Sequence, residues 1–168
     1  PGLWLAFSST RYEPAIPVIP ASSTTRLAFP KMAADTSSTT AASKMNFYVW
    51  SDPTVKAVWS EHRFGIREPD LTAAGWKPAD LLAVRGALVP GLGFDRHLRR
   101  LGRGAGFYDR FLKEKTFLKV GVGFAVQVTD ELPYESHDVE LDALVTDRET
   151  IWRMTPSSES RAWKADVS

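Results

Sequence analysis

Residues 100–124 read RLGRGAGFYDRFLKEKTFLKVGVGF, and this stretch predicts a glycine loop, a helix and a strand in succession. Glycine occupies every second position from 102 to 106, where it permits backbone conformations closed to other residues. Apolar side chains four residues apart in 107–113 then follow the spacing of one helix face. The apolar run Lys119–Phe124 predicts a buried strand.

Apolar runs elsewhere extend this pattern to a sheet with crossover helices. The predicted strands are Leu3–Phe7, Arg26–Phe29, Met45–Trp50, Leu81–Val89 and Leu141–Thr146. Together they predict an α/β fold, with a three-layer mixed sheet flanked by helices in a single domain over residues 1–154. Residues 155–168 predict a Ser-rich tail.

Composition excludes several classes of protein. The 168 residues contain no cysteine and three histidines, which removes thiol catalysis, disulfides and thiolate metal sites. A formal net charge of +1 argues against a nucleic-acid binder, and no apolar run is long enough to span a membrane. We therefore expect a cytoplasmic protein without nucleic-acid or membrane partners. We also expect a monomer that acts on a small molecule. Because the chain begins at Pro1 without an initiator Met, we also expect that an N-terminal piece is missing.

The glycine loop has two interpretations. Its backbone N–H groups and the following helix N-terminus form a cradle suited to phosphate, and the segment 95–119 carries eight Lys and Arg against three Asp and Glu. Alternatively, the glycines serve a tight turn alone. The loop is not a Walker motif, because no Gly-Lys-Ser/Thr follows, and it lacks the last glycine of the dinucleotide fingerprint.

Two carboxylates are candidate magnesium ligands, because magnesium takes only one or two carboxylates beside phosphates and water. Asp109 lies just inside the predicted helix, and Asp138 lies in an acidic segment before a strand. The alternative role of Asp109 is a first-turn carboxylate that offsets the helix dipole. The alternative for Asp138 is a residue of a solvated loop. His97 and His137 are interpreted as surface residues.

Four blocks of sequence in order resemble the 5-formyltetrahydrofolate cyclo-ligase family, also called methenyltetrahydrofolate synthetases. The resemblance covers about residues 64–146 and is weak before residue 64. Its blocks are Phe64–Pro69, Val89–Asp95, Arg100–Leu112 and the downstream matches Gly123-Phe124, Gln127, Asp130–Pro133, His137–Val139 and Leu141-Asp142.

The resemblance implies an ATP- and Mg2+-dependent enzyme that converts 5-formyltetrahydrofolate to 5,10-methenyltetrahydrofolate. It therefore implies that the small molecule on which the protein acts is a reduced folate. In that family the formyl oxygen attacks the γ-phosphate of ATP, a folate nitrogen closes the ring, and ADP and phosphate leave. Such phosphoryl transfer needs positioning and charge neutralisation more than a nucleophilic side chain. A chain without cysteine and with few histidines is compatible with this chemistry.

The same resemblance implies roles for individual residues. The nucleotide would be held by Arg100, Leu101, Gly102, Arg103, Gly104, Ala105, Gly106, Phe107 and Tyr108, and Arg103 and Tyr108 would be catalytic. The folate would meet Leu5, Thr10, Phe64, Arg103, Gly104, Ala105, Gly106 and Phe107, and magnesium would bind Asp109 and Asp138.

The chain departs from the family pattern at its N-terminal end. The family begins with a helix whose Lys and Arg reach the ATP phosphates, and this chain starts after it. Thr10 stands where the family places an acidic folate contact. The alternative function is therefore a catalytically impaired relative that still binds folate or nucleotide.

Overall fold

The computed structural model describes residues 2–6, 26–33, 44–51, 56–61, 67–104 and 106–153. The chain divides into two compact units, residues 1–87 and residues 88–168. The predictions made for Thr10, Phe64, Ala105 and the tail 155–168 lie outside the described residues.

The first unit is built on a mixed sheet. The strands of this unit are β1 (Leu3–Ala6), β2 (Arg26–Ala33), β3 (Lys44–Trp50), β4 (Trp59–Glu61), β5 (Arg67–Pro69), β6 (Trp76–Pro78) and β7 (Val84–Pro90), whose last residues belong to the second unit. The sheet has the order β7-β1-β2-β3-β6, with β1 parallel to β2 and with antiparallel pairing from β2 to β3 and from β3 to β6. A separate antiparallel pair joins β4 and β5.

The core of the first unit is formed by side chains that lie at every second position of its strands. Phe47 and Val49, two residues apart in β3, are both buried, as expected when successive side chains point to opposite faces. Phe29 in β2 packs edge-on against Trp59 and Trp76, with ring centroids 4.8 and 6.1 Å away. Such pairs add about 0.5–1.5 kcal/mol beyond burial of their area.

The second unit carries the glycine loop. Its elements are β8 (Gly93–Asp95), β9 (Arg100–Leu101), α1 (Phe107–Leu112), β10 (Leu118–Val122), β11 (Val128–Thr129), β12 (Ala143–Val145) and β13 (Thr150–Trp152). The main strands pair from β10 to β12 in parallel and from β12 to β13 antiparallel. A small sheet in the order β11-β8-β9 combines one parallel and one antiparallel pair.

Phe94 is the centre of packing in the second unit, where it is fully buried. Its ring fits where three glycines leave no side chain. A Cβ atom would lie 2.8 Å from the ring at Gly91, 3.0 Å at Gly121 and 2.7 Å at Gly123. Close approach to the ring, and at Gly121 also to Leu141 Cδ1 at 2.6 Å, explains these glycines, none of which has a positive φ.

The predicted α/β class and mixed sheet are confirmed, while some boundaries differ. Leu81–Ala83, predicted as the start of a strand, forms instead a 3-10 turn in which the Asp80 side chain accepts a hydrogen bond from Leu82 N–H. Leu82 is 97% exposed in the described structure, so its apolar side chain does not mark a buried strand.

Of the crossover helices predicted for the C-terminal half, the described residues contain α1, whereas the connection from β10 to β12 holds the 3-10 turn Ala125–Gln127 and β11. Pro133 would break a helix interior, and Ser136, His137 and Asp138 beyond it have weak helix propensity.

Candidate functional site

The glycine loop runs from β9 to α1, in the place predicted for it. Gly104 has φ +81° and Gly106 has φ +62°, a left-handed conformation that costs other residues about 1–2 kcal/mol. Among the described residues beyond its two chain neighbours, none has a heavy atom within 4 Å of a Cβ atom built at Gly104. The backbone at Gly104 is therefore open to a ligand, and its conformation, rather than crowding, requires glycine.

Gly102 has a different reason to be glycine. A Cβ atom there would lie 2.8 Å from Nη1 of Arg100, so any side chain would displace the guanidinium. The arginine stem is confined as well, because a Cβ atom at Gly91 would lie 3.0 Å from its Cγ. Gly91 and Gly102 thus leave the space that the Arg100 side chain occupies.

Arg100 ends in a buried ion pair with Asp109. Its Nη2 donates to Oδ1 and Oδ2 of Asp109 at 3.1 and 3.0 Å, and the two side chains are only 3% and 16% exposed. Arg100 leaves the small sheet and Asp109 lies in the first turn of α1. The pair therefore connects both ends of the glycine loop.

Tyr108 lies beside this ion pair, with its ring centroid 5.1 Å from the Arg100 guanidinium carbon. Burial raises the pKa of the Tyr108 phenol to about 12, although the charges of Arg100 and Arg103 act in the opposite direction. The phenol therefore stays protonated at neutral pH. It is able to donate a hydrogen bond but not to act as a base.

Two further arginines belong to the same segment. Arg103 is exposed on the loop, and Arg110 lies over the Phe107 ring with its guanidinium carbon 5.2 Å from the centroid. A Cβ atom at Gly106 would lie 2.9 Å from Nη1 of Arg110. The positive charge predicted around the loop is thus present at its exposed surface.

Asp95, which the sequence did not single out, organises the support of the loop. Its fully buried carboxylate accepts hydrogen bonds from the N–H groups of His97 and Arg99 at 2.9 Å through Oδ1. Oδ2 accepts from Leu132 N–H at 3.0 Å and lies 3.8 Å from Nη1 of Arg99. An aspartate that ends a strand and precedes a turn was the available signal, since such residues often bind the backbone ahead.

The second predicted metal ligand, Asp138, is engaged in its own loop. Its Oδ2 accepts a hydrogen bond from Glu135 N–H at 2.9 Å, and His137 Nε2 lies 3.8 Å from its Oδ1. Within the described ranges no group of three or more His, Asp and Glu side chains is placed to hold a metal ion. His97 and His137 are both exposed, as predicted.

The predicted folate contacts fall into two groups. Arg103, Gly104, Gly106 and Phe107 share the loop region, whereas Leu5 is fully buried in β1 within the core of the first unit. Leu101, predicted to contact nucleotide, is 45% exposed beside the loop.

None of the helices in the described residues is a candidate for spanning a membrane.

Sequence comparison links this arrangement to known proteins. The sequence profile of the 5-formyltetrahydrofolate cyclo-ligase family matches residues 17–147. The cyclo-ligase of Mycolicibacterium smegmatis is 41% identical over 91 residues, covering 52% of this chain and 45% of the relative. The cyclo-ligase of Mus musculus is 33% identical over 99 residues, covering 54% of this chain and 45% of the relative. The chain thus spans about half the length of the curated relatives it matches.

A solved structure extends the similarity to the fold. The NMR structure of Aquifex aeolicus 5,10-methenyltetrahydrofolate synthetase matches with a TM-score of 0.68 and 28% identity, covering 94% of this chain and 74% of that one. The profile match alone includes well over half of the residues, and it contains the glycine loop, Asp95 and the Arg100–Asp109 pair. The chain therefore belongs to the 5-formyltetrahydrofolate cyclo-ligase family.

Proposed function

We propose that this chain converts 5-formyltetrahydrofolate to 5,10-methenyltetrahydrofolate with ATP and Mg2+, releasing ADP and phosphate in the cytoplasm. The observation that carries the proposal is the open, left-handed Gly104 in a loop of a cyclo-ligase family member. Backbone of this kind binds phosphate oxygens through N–H groups without interference from a side chain.

The residues of the loop fit a nucleotide. The backbone from Gly102 to Tyr108 would hold the phosphates, and the exposed Arg103 would neutralise their charge as it develops on the transferring group. The Tyr108 phenol, which stays protonated, would donate a hydrogen bond in the same region. Phe107 and the loop backbone would also face the reduced folate.

Magnesium would be held by Asp109 and Asp138. The absence of a three-residue cluster among the described side chains is compatible with this ion, since magnesium often keeps several waters and one or two carboxylates. Bound to ATP, magnesium supplies neutralisation of the phosphate charge. The chain's own contribution is to fix the carboxylates and keep the loop open.

The test is the appearance of methenyl-folate absorbance when the purified protein is mixed with 5-formyltetrahydrofolate, ATP and Mg2+. A matched reaction without Mg2+ is the control, and Gly104→Val is the matched variant. Product that depends on Mg2+ and is lost in Gly104→Val is the expected result. Absence of product, with folate or ATP binding retained, would instead identify the impaired binding relative.

A further inference from the structure

Arg100 lies within the stretch that the resemblance assigns to the nucleotide, yet its charge is already paired inside the protein. The side chain is 3% exposed, and Nη2 is shared between both carboxylate oxygens of Asp109. Nη2 is committed to this carboxylate, and so little of the side chain is exposed that the rest of the guanidinium presents almost no surface to a phosphate. Turning Nη2 toward a phosphate would leave the partly buried Asp109 carboxylate without its cation, which costs free energy.

The surroundings are built for the paired conformation. Gly91 and Gly102 leave space for the stem and for the guanidinium, and the Tyr108 ring covers the guanidinium from one side. Arg100 itself pairs with Phe94 across the small sheet. One arginine thus joins the packed centre of the unit to the first turn of α1.

The pair leaves part of the Asp109 carboxylate available. A carboxylate has about four lone-pair sites, and the single Arg100 nitrogen occupies one on each oxygen. The remaining sites suit a hard cation, and carboxylates that ligate metals are usually oriented by a hydrogen-bonded partner. Arg100 has the position of such a partner.

We propose that Arg100 is a positioning residue that holds the Asp109 carboxylate and the start of α1 in place for magnesium, instead of binding the nucleotide phosphates itself. The inference rests on the proposed function for the identity of the metal. It assigns the phosphate-facing charge of this segment to Arg103, which is exposed on the loop.

The first test needs no ligand. In α1 the Arg110 N–H donates to Gly106 O at 3.1 Å and the Lys113 N–H donates to Asp109 O at 3.0 Å. Hydrogen exchange at these two amides should be about tenfold faster in Arg100→Met, because the first turn has lost its anchor. Arg96→Met is the matched control, since Arg96 pairs with Glu149 at the surface, and it should leave both amides unchanged. Unchanged exchange in Arg100→Met would overturn the anchoring role.

The second test separates positioning from phosphate binding. Binding of a non-hydrolysable ATP analogue is measured by calorimetry over a series of Mg2+ concentrations. Arg100→Met should raise the half-saturating Mg2+ concentration by about tenfold to a hundredfold, and excess Mg2+ should restore analogue binding. Arg103→Met should weaken binding at every Mg2+ concentration. If Arg100→Met behaves like Arg103→Met, the proposal is overturned.

Two outcomes keep this proposal distinct from the proposed function. If the wild-type protein binds the analogue with Mg2+ but forms no methenyl-folate, the proposed function fails while both tests of Arg100 still decide its role. If Arg100→Met does not fold, Arg100→Lys, which keeps a cation without the planar guanidinium, should show a smaller shift in the same direction. No shift in Arg100→Lys would count against the proposal.

Discussion

The Oδ2 atom of Asp95 accepts a hydrogen bond from the Leu132 amide 37 residues later in the chain, at 3.0 Å. Because Oδ1 binds the turn that leads into β9, one carboxylate fixes two separate backbone segments. The support of the glycine loop therefore depends on a charged group with no exposed surface.

Replacing Asp95 with alanine should destabilise the protein by about 3 kcal/mol or more, because buried N–H groups lose their acceptor and Arg99 loses an ion-pair partner. Urea unfolding measures this difference in the free energy of unfolding. Asp130→Ala, at an exposed position nearby in sequence, should change that free energy by less than about 0.5 kcal/mol. Equal effects of the two substitutions would contradict the role of Asp95.

Gly104→Val should weaken nucleotide binding while costing only about 1–2 kcal/mol of stability, since the strain comes from φ +81° in open space. Calorimetry and urea unfolding measure the two effects. Gly75→Val is the matched control in the first unit, where φ is +116° and a Cβ atom would lie 2.6 Å from Trp50. It should reduce stability more and leave the affinity of the folded protein for nucleotide unchanged.

Asp109→Ala should lower the free energy of unfolding by about 3–5 kcal/mol, because it leaves the buried Arg100 charge without a partner. Asp109→Asn keeps a side-chain oxygen that can accept a hydrogen bond from Arg100, so it should lower the free energy of unfolding by less. Both variants should need more Mg2+ for nucleotide binding. A stability unchanged in Asp109→Ala would show that the ion pair does not form in solution.

Stability should fall as pH rises from about 10 to 12, since the pKa of Tyr108 is raised by burial from 10.0 to about 12. Within this range the unfolded chain has already lost the phenol proton that the folded chain retains. Below pH 10 both the folded and the unfolded chain hold the phenol proton, so the contribution of Tyr108 to the free energy of unfolding is fully present there. Urea unfolding at several pH values should show a smaller decline in Tyr108→Phe than in the wild type, and an identical decline would refute the assignment.

Local signals were sufficient to predict the elements around the site. Three signals were used: the spacing of the glycines, the apolar residues of α1 and the apolar run of β10. Each signal consists of residues that are close together in the sequence. The helix and the strand were therefore found nearly to their observed ends. Leu81–Ala83 was misassigned because an apolar run does not show which residues have a core to contact.

Contacts between distant residues could not be predicted in the same way. Asp95 and Leu132 are far apart in sequence, and the role of Asp95 emerges only once the turn and the loop meet. The Arg100–Asp109 pair spans the glycine loop, whose path is set by backbone conformations at Gly104 and Gly106. A list of charged residues near a loop does not distinguish those that face a ligand from those that face each other.

The packing of Phe94 against Gly91, Gly121 and Gly123 also limits how the sequence can change. A methyl group at Gly91 or Gly123 would collide with this ring, and one at Gly121 would lie 2.6 Å from Leu141 Cδ1 as well as 3.0 Å from the ring. Enlarging any of the three glycines therefore requires a neighbouring side chain to become smaller. Such a smaller residue alone would leave a cavity, with a cost of about 3–5 kcal/mol for truncation to alanine. Position 94 and the three glycines, with Leu141 beside Gly121, should therefore vary together across homologous sequences, as one inherited set rather than as independent sites.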